Sequence, residues 1–156
     1  MTAGLSQSLQ ELVPALLQDH ATQAWAVNSL AALVDESEGN RAAAVGEAIR
    51  DFGAVEPLLT LLDQDDTQTD ALRVIGNLSS NDVDAQAEET KRILDEFQGF
   101  QRVLPCIYAT TPTTLVYALG AVQNMCSRPN HAMHMRETGA DVRLREIVAT
   151  SDNKAA

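Results

Sequence analysis

The sequence predicts an all-α protein built as a solenoid of repeated helical units. Its 156 residues contain few aromatic side chains and no alternating apolar and polar runs, which disfavours a sheet. One segment has apolar residues at helical spacing: Ala71, Val74, Ile75 and Leu78. Variants of this segment recur around residues 24–31 and 119–126. A repeat period in the forties is typical of α-solenoids, so the repeat itself predicts the fold class.

The first unit is predicted to consist of two helices followed by a short third one. Apolar residues between 9 and 17 keep helical spacing, and Thr22 is expected to cap a helix over 25–34. A short helix over 42–52 then leads to Gly53, which permits a sharp turn. The later units are expected to contain the same kinds of helix.

Each later unit is expected to bury a three-residue stripe on its second helix. In the second unit the stripe is Leu58, Leu61 and Leu62. The third unit places Leu104, Ile107 and Tyr108 at the same positions. The fourth places Leu144, Ile147 and Val148 there. Residues 81–89 are predicted to form an exposed loop, and residues 151–156 a polar tail, so no further helix is expected to cover the fourth stripe.

These segments resemble the armadillo-repeat family. Ala24–Leu30 and Leu72–Leu78 are similar to the last helix of an armadillo repeat, and Gly53–Leu62 is similar to the opening of its second helix. The resemblance implies a right-handed α-solenoid of about three repeats, truncated at both ends. The implied units lie within one domain over residues 1–150: 8–52, 53–98, 99–138 and a partial unit over 139–150.

The resemblance also implies a binding surface. In armadillo proteins the last helix of each repeat lines a concave groove, where asparagine side chains hold the main chain of an extended peptide. The matching positions here are Thr22, Trp25, Ser29, Asp70, Arg73, Asn77, Tyr117, Gly120 and Asn124. Nuclear import adaptors repeat a tryptophan–asparagine pair, whereas Trp25 is paired with Ser29, so a basic localisation signal is not expected. Hydrogen bonding between repeats and simple packing remain alternative roles for the asparagines and Trp25.

Charge restricts the partners. The net charge of -11 disfavours nucleic acid and anionic membranes. The excess of acidic residues is either a solvated surface or a groove that attracts a basic peptide. The sequence has neither a secretory signal pattern nor an apolar run of membrane-spanning length, and Cys106 and Cys126 fall in apolar helical patterns that suit reduced thiols. We therefore expect a cytoplasmic protein, with the nucleus also possible.

One cluster could in principle bind a soft metal: Cys126, His131, Met133, His134 and Met135. Its spacing matches no zinc motif, and the methionines fall where armadillo repeats have aliphatic core residues. The prediction is therefore a packed helix with two surface histidines and no metal. Phosphate loops, nucleophile elbows and zinc-protease motifs are missing from the sequence, so we expect neither a cofactor nor catalysis.

Three functional hypotheses follow. The first is an adaptor or scaffold that binds an extended peptide or a partner surface along the groove. The second is a structural subunit that docks through its open ends, around Leu144, Ile147 and Val148, with end-to-end self-association as one form of this. The third is an armadillo-like chaperone cofactor.

Overall fold

In the residues that the structure describes, 3–155 of a computed structural model, all regular secondary structure is helical. Ten α-helices follow one another in this described range: α1 Ala3–Ala15, α2 His20–Asp35, α3 Gly39–Asp51, α4 Val55–Thr60, α5 Asp65–Leu78, α6 Ala87–Glu96, α7 Gly99–Val103, α8 Pro112–Met125, α9 Pro129–Thr138 and α10 Ala140–Ala155. Short 3-10 segments, Leu61–Asp63 and Leu104–Tyr108, continue α4 and α7. The all-α prediction is confirmed.

Three helices, α2, α5 and α8, lie side by side, with α5 in the middle and in contact with both neighbours. The apolar stripe predicted on α5 is buried throughout: Ala71, Val74, Ile75 and Leu78. Gly76 brings α5 close to α8, since a Cβ added at Gly76 would lie 3.5 Å from the Cα of Ala121. This close approach sets the position of the outward side chains of the two helices relative to each other.

A second set of helices covers this row. α1 packs on α2, α4 packs on α5, and the 3-10 segment Leu104–Tyr108 packs on α8. Leu58, Leu61 and Leu62 are buried as predicted, but Tyr108 is 52% exposed, so its assignment to the third stripe was wrong. In a 3-10 helix residues i and i+3 align, so Leu104 and Ile107 share the buried face. Tyr108, the next residue, points away from that face.

The start of α2 also differs from the prediction. α2 begins at His20, and its N-cap is Asp19 rather than Thr22. The Asp19 carboxylate accepts hydrogen bonds from the Thr22 backbone N–H at 3.1 Å and from the Thr22 hydroxyl at 2.8 Å. These bonds lower the pKa of Asp19, because they stabilise its ionised form.

The connection before α6 is not the fully exposed loop that its polar sequence suggested. Asp84 is completely buried, and its Oδ2 atom lies 2.6 Å from Nη1 of Arg50 on α3. The same nitrogen donates to the Thr90 hydroxyl on α6 at 2.9 Å. This buried ion pair therefore ties α3, the connection and α6 together.

The last helix is longer than predicted. α10 continues to Ala155, so residues 151–155 of the predicted polar tail extend the helix; Ala156 lies outside the described residues. Ser151, Asp152 and Asn153 have low helix propensity, so the helix continues through them against their local preference. No described helix combines the length and the apolar character needed to cross a membrane.

Candidate functional site

The outward side chains of α2, α5 and α8 form one continuous surface, called here the three-helix face. It includes seven of the eight side chains that the sequence singled out as a groove: Trp25 and Ser29 on α2, Asp70, Arg73 and Asn77 on α5, and Tyr117 and Asn124 on α8. Neighbouring helices are linked across this face by hydrogen bonds: Asn28 donates to Asp70 at 3.1 Å, and the hydroxyls of Thr69 and Thr114 lie 2.7 Å apart.

Arg73 is the central charged group of the three-helix face. Its guanidinium pairs with Asp70 at 2.7 Å and with Asp35 at the end of α2, and it lies over the Tyr117 ring at 5.6 Å from the centroid. The hydrogen bond to Asp35 raises the pKa of Arg73 above its usual value, although burial acts in the opposite direction and Asp70 adds a smaller rise. With only 21% of its side chain exposed, Arg73 is a permanently charged and well-anchored group.

Asn77 and Asn124 each donate one hydrogen bond within the protein from the side-chain Nδ2. Asn77 Nδ2 donates to the Asp35 carboxylate at 2.9 Å, and Asn124 Nδ2 donates to the Gly76 carbonyl at 3.0 Å. Both partners can only accept, so the orientation of each amide is determined by its chemistry. Neither Oδ1 atom accepts a hydrogen bond from any described residue. Each asparagine therefore keeps its Oδ1 acceptor and the second N–H of its Nδ2 without a partner among the described residues.

Five of the predicted positions, Arg73, Asn77, Tyr117, Gly120 and Asn124, line a single cavity of about 220 Å³ between α5 and α8, called here the α5–α8 cavity. Its lining consists of Leu72, Arg73, Gly76, Asn77, Val116, Tyr117, Gly120, Ala121 and Asn124. The glycines and Ala121 leave the space open, and a Cβ at Gly120 would meet no other atom within 4 Å. The cavity is therefore mostly apolar, with a fixed cation, an aromatic ring and two amide groups at its edge.

The remaining predicted residues lie outside this cavity. Trp25 is 54% exposed on α2, so it is not packed under the first helix. Thr22 is engaged by Asp19 at the start of α2, and Ser29 is half-buried on the same helix. Trp25 lies one helical turn before Asn28, which bonds to Asp70, so it is on the side of α2 that faces α5, but it does not line the cavity.

Sequence reasoning missed three contributors to this site: Asn28, Asp35 and Val116. Asn28 and Asp35 are seven residues apart, so they share the flank of α2 that faces α5. This spacing was a usable signal, but it gave no indication of the contacts with Asp70 and Arg73 on another helix. Val116 is 65% exposed beside Tyr117, and an exposed valine cannot be told from a buried one by residue type alone.

The second predicted surface, at the fourth stripe, is only partly exposed. Leu144 packs against the core and Ile147 is half-buried, whereas Val148 is 60% exposed. Leu144 and Val148 line a shallow depression of about 360 Å³ together with Arg145, Ala149 and Asp152. This surface of α10 is separate from the three-helix face.

The cluster considered for a metal is used in packing. His131 is buried, stacks on Phe100 with ring centroids 4.3 Å apart, and lies 3.1 Å from Asp95 Oδ1. The prediction of two surface histidines was therefore wrong for His131, and Met133, half exposed, is not a core residue as its alignment suggested. Within the described chain, no group of three or more His, Cys, Asp or Glu side chains is arranged to hold a metal ion.

Comparison with protein-family models finds no match to the chain. Comparison with curated proteins likewise finds none. The functional argument below accordingly rests on the geometry of this chain and on the resemblance in its sequence.

Proposed function

We propose that the protein is a non-enzymatic interaction module that binds an extended segment of another protein along the three-helix face. The observation that carries the proposal is the α5–α8 cavity, which is open, mostly apolar and bordered by side chains held in place by hydrogen bonds. Side chains fixed before binding lose little conformational freedom when a ligand arrives. The module would act as an adaptor or scaffold in the cytoplasm.

The proposal includes an armadillo-like α-solenoid as the arrangement of the helices. Its support is the order of the elements, in which α2, α5 and α8 are each preceded by a helix that packs on them and are followed by α3, α6 and α9 respectively. In such an arrangement each unit buries its apolar face against the next, and the row of equivalent helices offers one continuous binding surface.

The free atoms of the cavity indicate what kind of segment it takes. The Oδ1 atoms of Asn77 and Asn124 can accept backbone N–H groups, which every non-proline residue of an extended chain supplies. The volume of about 220 Å³ leaves room for an aliphatic side chain beside Gly120 and Val116. Because Arg73 already pairs with Asp35 and Asp70, a basic side chain gains no free carboxylate at this position. We therefore propose an uncharged, aliphatic side chain as the occupant.

Peptide selection with a cavity-filling variant tests this function. Extended peptides are selected from a displayed random library against the parent protein, and their affinities are measured by calorimetry. Gly120→Leu fills the cavity without meeting backbone and favours the helix, so it should fold and weaken binding by about tenfold or more. Gln123→Leu, on an exposed position of α8 outside the cavity, is the matched control and should bind like the parent. Equal affinity for all three proteins, or no selected peptide at all, would contradict the proposal.

An asparagine variant is a weaker test. Asn124 also joins α8 to α5 through the Gly76 carbonyl, so Asn124→Ala would change the packing of the helices together with the binding surface. Gly120→Leu separates the two effects, because Gly120 has open space around its Cα.

A further inference from the structure

The outward side of α10 carries a surface, called here the α10 face, that no described helix covers. Its residues recur at helical spacing and line the depression of about 360 Å³: Leu144, Arg145, Val148, Ala149 and Asp152. Val148, at its centre, is 60% exposed. A depression with an exposed valine between two opposite charges has the apolar centre and polar rim of a small interface.

The order of these residues is self-complementary under a two-fold rotation. If two copies of α10 pack antiparallel with the axis between Val148 and Ala149, Arg145 of one copy faces Asp152 of the other, and Val148 faces Ala149 of the other. Each contact occurs twice, at equal distances from the axis. The small side chain of Ala149 lets the two helices approach closely where the valine packs.

The charged groups are free to make these contacts. Arg145 is 72% exposed, and its only partner among the described residues is Asp141, one turn earlier on the same helix at 3.2 Å. Exposed pairs of this kind contribute little to stability, so exchanging this partner for Asp152 of a second copy costs little. The exposed Asp152 side chain makes no ion pair with another described residue.

We propose that the α10 face is a homodimer interface, in which α10 helices of two copies pack antiparallel about a two-fold axis. This inference is independent of the proposed peptide-binding function and leaves the three-helix face free in both copies. A single pair of helices buries less area than a standard protein–protein interface. The dimer is therefore expected to be weak, with a Kd above about 1 µM, and sensitive to salt.

Sedimentation velocity on the full chain tests the dimer. Over about 1 µM to 1 mM and at low salt, the parent should shift from monomer to dimer, since this range spans Kd values from micromolar to millimolar order. Val148→Glu places two carboxylates at the axis and should stay monomeric. Leu17→Glu, at a similarly exposed apolar residue after α1, is the matched control and should dimerise like the parent.

A charge exchange makes the test specific for the antiparallel geometry. Arg145→Asp places like charges opposite each other and should abolish the dimer, whereas Arg145→Asp combined with Asp152→Arg restores both pairs and should restore it. Circular dichroism verifies that every variant keeps its helical content. A parent that is monomeric at 1 mM, a Val148→Glu variant that still dimerises, or a combined exchange that does not restore the dimer would overturn the proposal. Loss of the dimer in Leu17→Glu would indicate head-to-tail stacking and would overturn it as well.

Discussion

Replacing Asp84 by alanine removes the carboxylate that pairs with the buried guanidinium of Arg50. The Arg50 side chain is 5% exposed and Asp84 is completely buried, and their nearest atoms are 2.6 Å apart. The substitution would leave Arg50 with the Thr90 hydroxyl as its remaining partner and would also remove an acceptor of the Gln86 backbone N–H. Breaking a buried pair in this way destabilises a protein by about 3–5 kcal/mol, because the desolvated charge remains uncompensated.

Urea unfolding followed by circular dichroism measures this loss. With a slope of about 2 kcal/mol/M, the expected loss corresponds to a fall in midpoint of roughly 1.5–2.5 M. The matched control is Glu89→Ala, which removes one carboxylate from Arg92 on the surface of α6, where both side chains are about half exposed. That variant should lose no more than about 1 kcal/mol.

A double variant separates charge from packing. Arg50→Met combined with Asp84→Ala removes both charges, so it should be less destabilised than Asp84→Ala alone. The reasoning is refuted if Asp84→Ala costs no more than Glu89→Ala, since the buried pair would then be no stronger than a solvated one.

Three further predictions concern single positions. Gly46→Ala should destabilise the fold by about 1–3 kcal/mol in urea unfolding, because the new Cβ would overlap the buried carboxylate of Asp84. Gly4→Ala, which has open space around it, should not destabilise the fold. A hydrogen bond with the Asp66 carboxylate on α5, and the charge of that carboxylate, raise the pKa of His20. The stabilising contribution of protonated His20 is therefore complete below the ordinary pKa and is lost as the pH rises through the raised pKa. An NMR titration should find that raised pKa, and His20→Gln should abolish this part of the pH dependence of stability. Burial raises the pKa of Cys106 to about 11, so in a thiol-labelling time course at pH 8 it should react only on unfolding, after the partly exposed Cys126.

The parts of the fold that local spacing determines could be predicted from the sequence. The buried stripe of α5 and the stripe of α4 with its 3-10 continuation follow from apolar residues three and four apart, a pattern that only a helix places on one face. Tyr108 shows the limit of this reasoning. In the 3-10 segment Leu104–Tyr108, the fifth residue, Tyr108, points away from the core. Residue type does not reveal whether a segment forms a 3-10 helix or an α-helix.

Contacts between distant residues could not be predicted in this way. Asp84 reads as a loop residue, and its burial depends on Arg50 and on the space at Gly46, both far away in the sequence. The asparagines of the candidate site were found by their position in the repeat, but the atoms left free for a ligand depend on Asp35 and the Gly76 carbonyl. The repeat period thus predicted which surface the asparagines lie on. The atoms of that surface that are free for hydrogen bonding could be identified only from the packed helices.

The central claim is that the three-helix face binds an extended segment at the α5–α8 cavity. Its most direct test is to titrate a selected peptide into isotopically labelled protein and map the amide chemical-shift changes. The account predicts that the largest changes cluster around Arg73, Asn77, Tyr117, Gly120 and Asn124, which border or line the cavity. Changes concentrated on α10 or on α3 and α6, with this cluster unaffected, would contradict it.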